Sequence, residues 1–286
     1  MTVLEDNQIA TADADTNVDV VLTIAGSDSS GGAGIQVDLK SFTSLSCFGA
    51  SVITAVTAQN TTGVQAVHVV PSEIVAAQLD AVLEDLPIKS VKIGMVGSEE
   101  NAAVIASRLA DVGIEHVVLD TPLISGTGSP LGNAKVRHAV RDTLFPLASL
   151  ITPNLAEAGM FLNEPPVSSV DEMVCQAKAL LAMEASAVLL KGGHLGELGD
   201  DLPQSAVDVF VTGDVVDMFE APFVDTVNTH GTGCALSSAI AAYLAKGEGL
   251  SSAIRLAKVW LTEGLKRSHS MNFGHGPGPV NLLLNA

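Results

Sequence analysis

A β-branched-rich run from Val18 to Ala25 gives way to the loop Gly26-Ser-Asp-Ser-Ser-Gly-Gly-Ala-Gly34. The apolar period then changes, with Ile35, Leu39 and Phe42 falling on one helical face. Strand, glycine loop and helix in that order open an α/β unit. The same alternation continues down the chain. Strands are predicted over 51–58, 64–70, 90–96, 116–120, 149–152 and 187–190, and helices over 71–86, 99–112, 133–147 and 171–183, with a short helix whose first turn holds Glu157. Gly113 stops the second of those helices, and Pro153-Asn154 turns the chain before the short one that carries Glu157. From Ser205 the period becomes two. Val207, Val209 and Val211 alternate, Thr212-Gly213-Asp214 turns, and Val215 to Phe219 returns, which predicts a β-hairpin late in an α/β chain. Asn228-Thr-His-Gly-Thr-Gly-Cys234 then opens into the apolar run Ala235 to Leu244, where Leu236, Ile240, Tyr243 and Leu244 recur at helical spacing. An amphipathic helix over 251–268 and a Gly/Pro-rich tail over 274–279 complete the pattern.

Composition supports a large aliphatic core. The chain has 286 residues, 47% of them hydrophobic and 3% aromatic. One α/β domain over 18–286, preceded by a disordered acidic tail over 1–17, is the predicted organisation. A net charge of −18 argues against nucleic acid and anionic membranes as partners. It also means that any anion site must be local or assisted by a metal. Cys47, Cys175 and Cys234 form no metal or disulfide spacing and suit a reducing cytoplasm. No run has transmembrane length, and the start of the chain lacks the pattern of a signal peptide.

The candidate chemistry follows the strand ends. Asp120 ends one predicted strand, Glu157 follows another, and a third delivers Lys191-Gly-Gly-His194. Gly231, Thr232, Gly233 and Cys234 sit at a helix start, where unpaired N–H groups and the dipole favour anions. A thiol placed there is expected to have a lowered pKa. In a mostly parallel sheet these strand ends share one edge. Two carboxylates suit Mg²⁺, and a lysine with N–H donors suits phosphate, which together equip phosphoryl transfer. The first glycine loop fits neither G-x-G-x-x-G nor a P-loop, so both readings are rejected. The blander readings are a loop cap for Asp120, helix-dipole pairing for Asp38 and Glu157, a surface role for Lys191 and a plain turn for 228–234. The histidines, His230 included, show no metal-ligand spacing and read as ordinary polar residues.

Several stretches together resemble the hydroxymethylpyrimidine (phosphate) kinases of thiamin biosynthesis, in the ribokinase superfamily. They are Leu22–Lys40, Val52–Thr61, Lys92-Ile-Gly-Met95, Val117–Asp120, Leu150–Asn154 with Glu157, Lys191–His194 and Asn228–Cys234, in that family's order. The resemblance implies a ribokinase-like fold with a central, mostly parallel sheet flanked by helices. It also implies ATP, Mg²⁺ and a homodimer. The implied reaction is phosphorylation of hydroxymethylpyrimidine and then of its monophosphate. Carried over by position, Gln59 would bond the aminopyrimidine, Asp38 would lie by the hydroxymethyl group, and Gly26 and Met95 would line the pocket. Asp120 and Glu157 would serve Mg²⁺, while Asn154, Lys191 and Thr232 would serve ATP. The N–H groups from Gly231 to Cys234 would form an anion hole, with the Cys234 side chain as candidate base. One departure is Gly126, where relatives commonly carry lysine. The rival readings are a pyridoxal kinase, a sugar or nucleoside kinase (those usually carry Asp at the position of Cys234), a phosphate-binding relative without catalysis, and a Cys hydrolase with His230 as partner.

Overall fold

The computed structural model describes residues 18–123, 131–193, 195 and 204–282. The predicted tail, Gly126 and His194 lie outside the described residues.

Nine strands form one sheet. In chain order they are β1 (Val20–Asp28), β2 (Phe48–Asn60), β3 (Gly63–Val69), β4 (Ile88–Ile93), β5 (His116–Leu119), β6 (Leu150–Ile151), β7 (Val188–Gly192), β8 (Ser205–Thr212) and β9 (Val215–Pro222). Their spatial order is β3-β2-β1-β4-β5-β6-β7-β8-β9. From β2 through β7 every pairing is parallel, whereas β3, β8 and β9 add antiparallel pairings at the two ends. The predicted hairpin is therefore β8–β9.

The helices are α1 (Gly34–Ser44), α2 (Ser72–Asp85), α3 (Glu99–Val112), α4 (Ala134–Ala139), α5 (Leu155–Leu162), α6 (Val170–Leu181), α7 (Thr232–Ala245) and α8 (Leu250–Ser268). They divide between the two faces. Leu22, Ile24, Val91 and Ile93 pack toward α2, α3, α5 and α6. Val21, Val118 and Leu189 pack toward α1, α7 and α8. This is the period-2 alternation of strands with both faces covered. Leu22 and Ile24 are fully buried, which stabilises the fold by about 1.5–3 kcal/mol each. Helix α7 is small and apolar all round because it lies between the sheet and α8. No helix among the described residues is long and apolar enough to cross a membrane.

Several predicted boundaries move. Strand β1 runs past Ala25 to Asp28, because Gly26 to Asp28 keep pairing with Ala55 to Thr57 across a bulge. The helix predicted over 133–147 is α-helical only to Ala139, then π over 140–144 and 3₁₀ over 145–147, where Pro146 supplies no N–H. Helix α7 begins at Thr232, so Thr232, Gly233 and Cys234 occupy its first turn.

The topology places the site. After β1 the chain moves to β2 on one side; from β4 onward it moves away on the other. The direction of winding reverses between β1 and β4. The carboxyl ends of those strands diverge there and open a crevice.

Candidate active site

A cleft of about 340 Å³ occupies that crevice. Gly26 and Asp28 reach it at the end of β1, Gln59 at the end of β2, and Met95 just beyond β4. A two-way bond clips β1 to β2. The Ser29 hydroxyl donates to the Gln59 carbonyl at 2.8 Å and accepts from the Gln59 N–H at 2.9 Å. The cleft continues to the first turn of α7 and to Asp120, Asn154, Glu157 and Lys191.

A second cleft of about 410 Å³ lies beyond that turn, with Ala206, Val224, Leu236 and Leu261 as apolar walls. Asn154, Lys191, Thr229, Thr232 and Gly233 line both clefts. The two spaces therefore meet at the amino end of α7.

At that junction Gly231 caps the helix with φ 79°, a left-handed conformation that favours glycine. The Thr232 N–H is turned back onto the Thr229 carbonyl at 3.3 Å. That leaves the following N–H groups, those of Gly233 and Cys234, as the better anion donors. The two glycine loops also interlock. A side chain on Gly32 would meet the His230 ring at 2.4 Å, so glycine is required for the imidazole to lie against the first loop.

The acidic edge is tightly wired. Lys191 Nζ donates to Asp120 Oδ1 at 2.9 Å, and Thr152 adds a hydroxyl at 3.2 Å. Burial raises the Asp120 carboxyl, but Lys191 and Lys92 outweigh it and hold the group below the usual range. Glu157 closes a capping box with Asn154. Its carboxylate accepts the Asn154 N–H at 2.8 Å while the Asn154 side chain accepts the Glu157 N–H at 2.9 Å. The helix-terminus reading of Glu157 is thus correct, and the residue still faces the cleft. Burial pushes its carboxyl up to about 7, against Lys191 and with Asp120 adding to the rise. Two buried carboxylates with one held near neutrality are short of positive charge. A hard divalent cation fits that donor set. Among the described residues no three His, Cys, Asp or Glu side chains converge, so phosphate oxygens and water would complete its shell. Burial also lowers Lys191, yet Asp120 and Glu157 outweigh it and keep the ammonium charged.

Two expectations are corrected. Asp38, expected beside the substrate's hydroxymethyl group, does not line the cleft. Its carboxylate is fully buried behind it, with Lys92 Nζ at 2.8 and 2.9 Å, the Thr23 hydroxyl at 2.6 Å and the Ser238 hydroxyl at 2.7 Å. Lys92, not Asp38, reaches the cleft from this cluster. Nor is Asp38 paired with the helix dipole, since α1 has no acidic residue in its first turn. The second correction concerns Cys234. Its thiol was expected to fall at a helix start. Burial instead pushes it up to about 12; Lys92 pulls down, while Asp120 and Asp38 push further up. Desolvation outweighs the dipole.

Sequence reasoning missed Lys92 and His230. A lysine inside a strand of apolar residues was the available signal for the first. For the second, the clue was only its place between Thr229 and Gly231. His230 is buried, with Nε2 3.1 Å from Asp28 Oδ2 and 3.4 Å from the Gln59 side-chain nitrogen.

A family model described as Phosphomethylpyrimidine kinase matches residues 28–281. The chain is 45% identical over 260 residues to a hydroxymethylpyrimidine/phosphomethylpyrimidine kinase of Escherichia coli (strain K12), covering 91% of this chain and 96% of that one. It is 47% identical over 262 residues to the enzyme of that description from Rhizobium meliloti (strain 1021), covering 92% and 96%. Among solved structures, phosphomethylpyrimidine kinase from Clostridium difficile 630 superposes with TM-score 0.75 at 40% identity, over 87% of this chain and 100% of that one. An ADP complex of Bacillus subtilis pyridoxal kinase gives 0.82 at 33% identity, over 93% and 99%.

Proposed function

Because the chain belongs to the phosphomethylpyrimidine kinase family, we propose that it transfers the γ-phosphoryl group of ATP to hydroxymethylpyrimidine, and then a second to the resulting monophosphate. The observation that carries this reading is the junction of the two clefts at the amino end of α7. A phosphoryl donor on one side and an acceptor hydroxyl on the other meet there.

The acceptor ring lies between Gly26 and Met95, with the Gln59 carboxamide at its edge. A carboxamide offers a donor and an acceptor together, which matches a ring nitrogen beside an amino group. The nucleotide lies in the second cleft, and its triphosphate passes Asn154, Lys191 and Thr232 toward Gly233. Mg²⁺ bound at Asp120 and Glu157 would neutralise charge on the triphosphate and draw phosphate oxygens into line. Lys191 exchanges its contact with Asp120 for phosphate. The Gly233 and Cys234 N–H groups stabilise negative charge on the transferred group. Cys234 can take the acceptor's proton only as the thiolate, after its own proton has passed to water, so the share of enzyme competent for this step grows as pH rises. A homodimer is part of the proposal and is read by light scattering.

The rival is a pyridoxal kinase, which the fold alone does not separate. The test is ATP consumption with hydroxymethylpyrimidine, its monophosphate, pyridoxal and ribose. Turnover with the first two and little with ribose is expected. A preference for pyridoxal overturns the ring assignment. ATP consumption with none of the four would favour a phosphate-binding protein without catalysis.

A further inference from the structure

Seven residues in and beside the first cleft form one network of polar contacts. The Asp28 carboxylate accepts from the Ser30 N–H and hydroxyl, both at 2.8 Å to Oδ1, and from the Ala33 N–H at 2.9 Å to Oδ2. His230 Nε2 lies 3.1 Å from the same Oδ2. As placed in the structure, the Gln59 side-chain nitrogen lies 3.4 Å from His230 Nε2 and the side-chain oxygen lies 3.2 Å from Thr57 Oγ1; the direction of the protons reverses the two ends. Thr57 in turn donates to the Ser27 carbonyl at 3.0 Å.

The direction of the protons follows from chemistry. Burial raises the Asp28 carboxyl, but its bonds from His230 and Ser30 outweigh that and hold it at about 2. An ionised carboxylate only accepts. The proton between Asp28 and His230 therefore sits on Nε2, and Nε2 is a donor. That single proton goes first to Asp28 and is shared with Gln59 as the longer arm of a bifurcated bond, which requires the carboxamide oxygen on that side; an amide N–H there would oppose it. The two ends of a carboxamide have the same shape, so bonding partners decide between them. With the oxygen toward His230, the amide N–H reaches Thr57 Oγ1, whose own proton goes to Ser27. Every group then has a consistent role.

We propose that Asp28 and His230 are positioning residues that fix which way the Gln59 carboxamide faces, and so set the enzyme's discrimination between an aminopyrimidine and a ring without that edge. The proposal rests on the assignment of Gln59 to the ring. Without the His230 donor the amide turns freely, and a substrate edge meets the wrong end for part of the time.

The test compares His230→Phe, which keeps a flat ring, with His230→Gln, which keeps an N–H donor. His230→Phe should raise KM for hydroxymethylpyrimidine by about ten- to a hundredfold, with kcat and the KM for ATP within about threefold of wild type. The ratio of kcat/KM for hydroxymethylpyrimidine over pyridoxal should fall by a similar factor. His230→Gln should retain more of that ratio than His230→Phe; a purely structural ring would give the reverse order. In a Gln59→Met background His230→Phe should leave the ratio unchanged. Additive effects in that double variant, or better retention by Phe, overturn the inference. ¹⁵N NMR of the wild-type histidines is independent of the ring assignment. A proton on His230 Nε2 is expected, and one on Nδ1 alone overturns the inference whatever the substrate. Wild-type inactivity on hydroxymethylpyrimidine would instead overturn the substrate reading.

Discussion

Replacing Lys92 with Met removes one half of an ion pair whose two side chains are both 0% exposed. The ammonium lies between β4 and the layer of α1 and α7, at the floor of the cleft. Burial lowers Lys92, but Asp38 outweighs it and holds the group above the ordinary lysine range. Met has similar length and fills the space, so the loss is electrostatic. Asp38 would keep the Thr23 and Ser238 hydroxyls but would lose the ammonium that balances its charge. Breaking a buried pair in this way costs about 3–5 kcal/mol. At roughly 2–3 °C per kcal/mol for a chain of this size, Tm should fall by about 6–15 °C. Urea unfolding and differential scanning calorimetry on the ligand-free protein measure this. The companion variant is Lys92→Met with Asp38→Asn. It removes the orphaned charge while leaving an acceptor for the two hydroxyls, and it should recover more than about half of the loss. Turnover should stay low in the recovered variant, because the cleft has lost the positive charge that opposes the rise of the Cys234 thiol. A single-variant loss below about 1 kcal/mol would refute the reasoning, as would a double variant less stable than the single one.

Three further outcomes are expected. Asp120→Asn should cut turnover by about 10²–10³ and raise the Mg²⁺ concentration required, with the fold retained; near-normal activity in limiting Mg²⁺ would remove Asp120 from the site. A thiol at about 12 gains thiolate as pH rises toward it. If Cys234 is the base, kcat/KM should climb by up to about tenfold per pH unit above neutrality, and Cys234→Asp, already ionised there, should flatten the profile; a flat wild-type profile would leave the backbone N–H groups as the main contributor. Asp28 is held at about 2 against an ordinary 3.8. A lowered carboxyl contributes stability that is present above its unfolded pKa and is lost as pH falls through the folded one. Asp28→Asn should therefore lower stability at neutral pH by about 2 kcal/mol and remove that share of the acid transition between about pH 4 and 2, as followed by urea titrations at each pH.

Much of the fold was legible along the chain. Alternating strand and helix periods gave the order of elements, and the shift to a period of two after Ser205 marked the β8–β9 hairpin. The acidic and phosphate side of the site was legible for a topological reason. Asp120 and Asn154 follow their strands and Lys191 lies near the end of β7, and parallel strands bring their carboxyl ends to one edge. What the sequence could not state is which side chains meet across layers. Lys92 and Asp38 are separated by more than fifty positions and sit on a strand and a helix. Only the packing of α1 and α7 over β4 makes them a buried pair. His230 read as ordinary because its partner, Asp28, lies about two hundred positions away in the other glycine loop. Cys234 was misjudged for the same reason. The helix dipole is a local effect and can be read from neighbours in sequence. Desolvation depends on everything packed around the thiol, and in this fold it is the larger of the two.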